Sequence, residues 1–306
     1  MPVTAGNYIG RFAPSPTGPL HFGSLLAATA SYLQAMSGNG RWILRIEDID
    51  PPREQRGAAD AIVSALETYG FEWDGPVRYQ SHKTPRHREV IARLIDAGYA
   101  YRCGCSRQAL AQAPRGPMGP IYPGTCRART AGTSSKRSSV RVRTDSQPVS
   151  FHDLVQGAQT MRLELESGDF VIERRDRLVA YHLAVVIDDF DDGISQIVRG
   201  VDLLDSTARQ IYLQRLLGYR TPGYAHIPVA VNSSGQKLSK MTGARALPLD
   251  NAGPTLFAAL RALQQGPPDD LAAAGLATIW EWAKEHWTLK PLMNQRNAPE
   301  PPQRYG

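Results

Sequence analysis

The sequence predicts an α/β fold built on a Rossmann-type parallel sheet that is interrupted by a loop-rich insertion. Three observations predict it. Strand-like and helix-like segments alternate from residue 7 to residue 69, as in a parallel sheet. A second strand, tight turn and helix follow at 194–218. Between these blocks, residues 102–147 are rich in Arg, Gly, Pro, Ser and Thr, show little periodicity and hold every cysteine of the chain.

In chain order, residues 7–12 (NYIGRF) read as a short strand that runs into RFAPSPTGPLHFGSLL. Pro14, Pro16 and Pro19 fix φ and remove backbone donors, so this segment is neither a central strand nor a helix interior. A rigid loop that delivers His21 to a helix start is a ligand-site pattern. Residues 23–36 have helical composition and stop at Ser37-Gly38-Asn39-Gly40. RWILRIED (41–48) alternates as a strand, and Pro51 and Pro52 open a polar stretch before a helix at 55–69. Ligands of parallel sheets gather at the carboxyl ends of strands, where Arg11 and Glu47 project.

A helix is expected at 86–98, then strands at 139–143, 160–165 and 169–173. VAYHLAVVIDD (179–189) reads as a buried parallel strand, and 194–218 as a strand followed by a helix from near Asp202. Short helices at 255–265 and 269–287 precede a Pro-rich tail from residue 290, expected to be frayed or irregular.

The 306 residues suffice for one large domain or two smaller ones, and the net charge of +6 suits a phosphate-rich partner as well as a merely basic surface. MPVTAGNYIGR shows no secretory pattern, and no apolar run approaches the ~20 residues of a membrane span. Three cysteines are too few for a disulfide framework, so a cytoplasmic location without membrane contact is expected.

Three ordered motifs carry the chemistry. Arg11-Phe-Ala-Pro-Ser-Pro-Thr-Gly-Pro-Leu-His21-Phe-Gly23-Ser24 resembles the first signature of class I aminoacyl-tRNA synthetases in its glutamyl form. Lys237-Leu-Ser-Lys240 is similar to their lysine-rich loop, and Arg199-Gly-Val-Asp202-Leu-Leu-Asp-Ser-Thr207 fits the glutamyl subgroup. Adenylate formation brings a carboxylate to the α-phosphorus of ATP, so the site must hold anions together and stabilise transition-state charge. A helix beginning near Gly23 offers free N–H groups to phosphate, Gly23 permits close approach, and His21 can donate to phosphate oxygens. The resemblance implies that His21, Gly23, Ser24, Lys237 and Lys240 serve ATP, which arrives with Mg²⁺. It further implies that Arg11, Phe12, Ala13, Pro14, Ser15, Glu47, Tyr181 and Arg199 line the pocket for L-glutamate. Charge logic agrees: Glu47 can meet the ammonium, while Arg11 and Arg199 suit the carboxylate. As purely structural alternatives, Glu47 is a solvated strand-end acid and Arg199 a partner for Asp202.

Cys103-Gly-Cys105 and Cys126 suggest one tetrahedral structural Zn²⁺ in the insertion. Ligand chemistry favours a fourth ligand among His82, His87 and His152, whereas the resemblance implies Tyr122. Arg102, Arg107, Arg115, Arg127, Arg129, Lys136, Arg137, Arg141 and Arg143 form a basic set that suits either a phosphate backbone or solvent.

About 65 residues follow Lys240, too few for the helical anticodon-binding body of a full glutamyl-tRNA synthetase. The expected organisation is a first catalytic half at 1–100, a zinc-binding insertion at 101–175, a second catalytic half at 176–245 and a short helical extension at 246–306. Such a chain resembles the glutamyl-queuosine tRNA(Asp) synthetases, truncated paralogues of that enzyme. His-Phe-Gly-Ser in place of His-x-Gly-His, and Lys-Leu-Ser-Lys-Met in place of a final Ser, point the same way. The resemblance implies tRNA-independent formation of glutamyl-adenylate by an ATP-dependent ligase. It also implies transfer of glutamate to the queuosine base in the anticodon of tRNA(Asp), by a monomer without a protein partner. The alternatives are a minimal glutamyl-tRNA synthetase charging a 3′ end, a non-catalytic tRNA-binding paralogue, and an adenylate-forming ligase with tRNA-free acceptors.

Overall fold

The computed structural model describes residues 8–106, 108–128, 138–238 and 245–300. Strand β1 (Ile9–Phe12) lies parallel to β2 (Arg41–Ile46), and β2 parallel to β3 (Arg78–Tyr79). Helix α1 (Phe22–Ser37) connects β1 to β2, and α2 (Ala58–Thr68) connects β2 to β3. Helix α3 (Thr84–Asp96) then leads to β4 (Ala100–Cys103) and the small hairpin β5 (Arg115–Gly116) and β6 (Gly119–Pro120).

Strands β7 (Ser139–Val142), β8 (Val149–Asp153) and β9 (Gly157–Met161) follow, then the helical turn α4 (Leu163–Glu166) and β10 (Val171–Glu173). β7 is the middle strand of an antiparallel sheet, β10-β7-β4. Helix α5 (Tyr181–Asp191), β11 (Gln196–Gly200), α6 (Leu204–Leu217) and β12 (Gly223–Ile227) form a second α/β block, in which β11 and β12 pair in parallel. The order in this sheet is β11-β12-β8-β9. It abuts the first sheet at β1, where the Ile9 carbonyl accepts from the Ser195 N–H at 3.0 Å and the Ile9 N–H donates to Ser195 Oγ at 2.9 Å.

β13 (Val229–Val231), α7 (Ala252–Ala262), α8 (Leu276–His286) and β14 (Asn297–Pro299) complete the fold. Helix α1 is Ala-rich and buried on most of its surface, because the sheet covers one side and α7 and α8 the other. Its Tyr32 meets Trp42 of β2 and Trp280 of α8 edge-on at 5.1 and 5.0 Å, with Phe71 closing the cluster. A second core joins Val90, Val140, Val186 and Tyr212 from α3, β7, α5 and α6.

Several expectations need correction. Residues 179–189 form helix α5 and not a strand: α3, α6 and β10 surround it, so its apolar run is that of a helix buried on all sides. The strand expected at 160–165 ends at Met161, and a helical turn follows. Strands β4, β8 and β12 had no sequence expectation. Residues 290–300 of the tail are not frayed: Asn297–Pro299 pairs in parallel with Val229–Val231. Among the described residues no helix is long and apolar enough to cross a membrane.

Trp280 fills the seam between α1 and α8 and donates from Nε1 to the Tyr69 carbonyl at 2.9 Å. Trp280→Ala is expected to lower stability by about 3–5 kcal/mol, the usual loss for a buried Trp. Denaturant unfolding checks this, and an unchanged midpoint would contradict the docking of the C-terminal helices on α1.

Candidate active site

A cavity of about 710 Å³ opens at the carboxyl ends of β1, β11 and β12. Arg11, Phe12, Ala13, Pro14, Ser15, His21, Gly23, Ser24, Tyr181, Arg199 and Lys237 all line it. Glu47 lies outside that wall, and Lys240 falls outside the described residues. The Pro-rich loop is held by its carbonyls: Pro14 O accepts from the Glu47 N–H and Pro16 O from the Gln55 N–H, each at 2.9 Å. A segment poor in donors is thus fixed through its acceptors.

One end of the cavity is the start of α1. His21 is the N-cap, with Nδ1 accepting from the Ser24 N–H at 3.3 Å, while Ser24 Oγ accepts from the His21 N–H at 3.5 Å. This reciprocal cap orients the ring and gives Ser24 a structural task that the sequence alone did not show. An imidazole that accepts at Nδ1 carries its proton on Nε2 when neutral. A Cβ on Gly23 would sit 3.1 Å from His21 Cε1, so glycine leaves the ring room as well as exposing backbone. No acidic residue stands in the first turn of α1 to neutralise its positive end. Lys237 Nζ pairs with Asp202 Oδ2 at 2.6 Å on the rim.

The other end is built on buried charge. Asp189 of α5 accepts from Arg11 Nε at 3.2 Å and Arg11 Nη2 at 3.4 Å, and from Arg45 Nη2 at 2.5 Å. Arg45 Nη1 also reaches Asp192 at 2.8 Å. Burial alone would raise the Asp189 carboxyl, but the two guanidinium groups outweigh it and hold it below its ordinary range. Glu47 is 7% exposed and lies 3.8 Å from Arg45 Nη2, and its Oε1 has no hydrogen-bond partner. Burial pushes its carboxyl up to about 7, against the pull of Arg45 and Arg11. It is therefore not a solvated strand-end acid.

Nor is Arg199 the partner of Asp202, which binds Lys237. Arg199 is buried, with Nη1 3.4 Å from Tyr181 Oη and Nη2 donating to Thr207 Oγ1 at 2.8 Å and Gln210 Oε1 at 2.7 Å. Asp189, Arg45, Gln210 and His226, which contacts Arg199 Nε, carried no signal in the sequence reading; only Thr207 stood inside a quoted motif.

In the insertion, the sulfurs of Cys103, Cys105 and Cys126 lie within 4.8 Å of one another. Tyr122 Oη sits 3.3 Å from Cys103 Sγ and 3.8 Å from Cys105 Sγ, and accepts from the Cys126 N–H at 2.9 Å. The histidines are elsewhere. His87 is buried against Asp188, His82 stands by Tyr79, and His152 is exposed on β8. Burial would raise the Cys103 thiol, yet hydrogen bonds from Tyr122, the Cys105 backbone and Arg141 bring it down to about 7. Burial keeps the Tyr122 phenol protonated, so a bound cation would have to displace that proton. Three thiols and one phenol form a donor set that fits a tetrahedral zinc ion.

Part of the basic set is structural. Arg141 is buried, 4.0 Å above the Tyr122 ring, and donates to Cys103 Sγ at 3.4 Å and to the Asp169 carbonyl at 2.7 Å. Arg127 grips Asp169 at 2.6 and 2.7 Å, and Arg143 lies 4.7 Å over the Tyr101 ring. Arg102 and Arg115 are exposed; Arg107, Arg129, Lys136 and Arg137 lie outside the described residues.

The family described as tRNA synthetases class I (E and Q), catalytic domain, matches residues 9–251. A protein of Dechloromonas aromatica named glutamyl-Q tRNA(Asp) synthetase is 50% identical over 291 residues, 94% of this chain and 96% of its own. A protein of the same name from Pseudomonas fluorescens is 50% identical over 297 residues, 97% of each chain. The chain belongs to the glutamyl-Q tRNA(Asp) synthetase family. A glutamate tRNA ligase of Elizabethkingia meningosepticum, solved with its amino acid, superposes on this family member with a TM-score of 0.77 at 22% identity. The match covers 96% of this chain and 67% of that one. The glutamate-tRNA synthetase of Elizabethkingia anophelis gives 0.80 over 98% and 69%, again at 22% identity. Both likenesses are of fold, and the class I catalytic fold is the one seen here.

Glu47 yields a stability prediction for this synthetase. Its folded pKa of about 7 lies above its ordinary 4.5, so between these values the folded state binds more protons and stability falls as pH rises. Glu47→Gln removes that loss, by an amount on the order of a few kcal/mol at full ionisation. The variant should melt above the parent at pH 8, with the gap closing toward pH 5. A gap independent of pH would contradict the burial of an ionisable Glu47.

Proposed function

We propose that the chain activates L-glutamate with ATP, without tRNA, and transfers the glutamyl group to the queuosine base in the anticodon of tRNA(Asp). One observation carries this reading: a single cavity runs from the uncompensated N-terminus of α1 to the buried arginines at the far end. The name of the relatives supplies the acceptor, and the cytoplasm, where tRNA is met, is the proposed setting.

In the first step a carboxylate oxygen of glutamate forms a bond to the α-phosphorus, and the bond from that phosphorus to pyrophosphate breaks. His21, through its Nε2 proton, and the N–H groups opening α1 are assigned to the phosphates. Lys237 and Lys240 act as point charges on the triphosphate. Mg²⁺ enters with ATP and offsets phosphate charge. Arg11, Phe12, Ala13, Pro14 and Ser15 are assigned to one wall of the amino-acid pocket, and Tyr181 and Arg199 to the side-chain carboxylate. Glu47, with its unpartnered buried oxygen, is assigned to the ammonium. In the second step a queuosine hydroxyl attacks the acyl carbon and AMP leaves. An anticodon loop can reach such a site because loop bases can be splayed from the stack.

Cys103, Cys105, Cys126 and Tyr122 would hold one structural zinc, which ties the end of β4 to residues 122–126 within the insertion. Metal analysis should find about one zinc per chain, lost in Cys103→Ser, since a structural zinc is bound with its fold. Folded protein free of metal would refute this assignment.

Labelled glutamate with ATP should mark queuosine-containing tRNA(Asp) and leave queuosine-free tRNA unmarked. Equal labelling of both would favour a 3′-end synthetase instead. Lys240→Ala should slow glutamate-dependent pyrophosphate exchange by about 10²-fold, the scale of losing one stabiliser of transition-state charge. Near-normal exchange would remove Lys240 from the mechanism.

A further inference from the structure

The cavity contains two buried arginines whose charges are treated differently. Arg11 is clamped by the carboxylate of Asp189. Arg199, 5% exposed, has only neutral groups on it. Nη2 donates to Thr207, Gln210 and, at 3.5 Å, the Leu203 carbonyl, while Nε donates to His226 Nε2 at 3.0 Å. Among the described residues no carboxylate pairs with it. Its Nη1 edge, 3.4 Å from Tyr181 Oη, remains toward the cavity that Arg199 and Tyr181 both line.

The acceptor on Nε is itself prepared. His226 is fully buried, and its Nδ1 lies 2.6 Å from Asp153 Oδ2. Nδ1–H therefore donates to Asp153, which leaves Nε2 as the lone-pair side facing Arg199 and, at 3.1 Å, Thr207 Oγ1. Burial brings the imidazole down to about 4, with Arg199 adding to that effect against the pull of Asp153, so the ring is neutral near pH 7. Asp153 is fixed in turn: its Oδ1 accepts the N–H groups of Val155, Gln156 and His226 at 3.0, 2.9 and 3.1 Å. The negative charge thus stands one imidazole away from Arg199. It orients the guanidinium without neutralising it by direct contact.

We propose that Asp153 and His226 are positioning residues that aim an uncompensated Arg199 at the side-chain carboxylate of the amino acid and so set glutamate above glutamine. This inference rests on the reading of the cavity as a glutamate pocket. A buried guanidinium without an acid gains a full ion pair from glutamate and only a neutral contact from glutamine.

Asp153→Asn tests it with little disturbance. Asn Oδ1 can keep the three backbone N–H groups, while its NH₂ replaces Oδ2 and now donates to His226 Nδ1. The imidazole then carries its proton on Nε2 and faces the Arg199 Nε–H, donor against donor. The glutamate KM in pyrophosphate exchange, and the glutamate Kd by calorimetry without ATP, should rise about tenfold or more, the scale of a lost buried bond to a charged group. The ATP KM should stay unchanged and the preference over glutamine should shrink. His226→Leu, checked for folding by its melting curve, should shift the same constants if Asp153→Asn does not fold. Unchanged glutamate constants, or glutamate and ATP constants rising together with discrimination intact, would overturn the inference. An unsubstituted chain that neither binds nor activates glutamate would instead overturn the reading of the pocket on which it rests.

Discussion

The buried carboxylate of Asp189 is the interaction on which the site depends. It sits 5% exposed between Arg11 of β1 and Arg45 of β2, so one group of α5 binds the carboxyl-terminal parts of two parallel strands. Breaking such a cluster on one side leaves an uncompensated buried charge, a far larger loss than the net gain from forming it. The geometry is held for that reason. Because Arg11 stands next to the end of β1, the same contact fixes where the Pro-rich loop leaves the sheet, and with it the position of His21 at the start of α1.

Around this anchor the cavity keeps some charges matched and others waiting. Arg11 and Arg45 are paired with buried carboxylates, whereas among the described residues Arg199 has no charged partner and the Oε1 atom of Glu47 no hydrogen bond. Both conditions cost folding stability, and on the proposed function a ligand that brings a carboxylate and an ammonium would relieve both. Function here is written into the places where the folded chain is less stable than its packing would allow.

Local chemistry made part of this legible in the sequence. Proline stiffness, a His before a helix start, a glycine in its first turn and a Cys-x-Cys pair keep their meaning within a few residues. Contacts that span the chain were not legible. Asp189 lies 178 residues from Arg11, and His226 lies 73 from Asp153; neither stands in a pattern that periodicity detects. Helix α5 was not legible because a short apolar run such as Leu183–Ile187 looks alike as a buried strand or as a helix packed on every side. Arg141 and Arg143 looked like surface cations, yet the faces of Tyr122 and Tyr101 receive them. Ser24, taken with the nucleotide from its motif, turned out also to complete the cap that holds His21.

The central claim is that one continuous cavity holds the nucleotide at the α1 end and glutamate at the Arg199 end. A non-hydrolysable mimic of glutamyl-adenylate, with a sulfamoyl group in place of the phosphate, measures this most directly by calorimetric competition. The account predicts that the mimic binds far more tightly than either ATP or glutamate and displaces both. Displacement of only one of them, or an affinity no better than that of the tighter part, would contradict it.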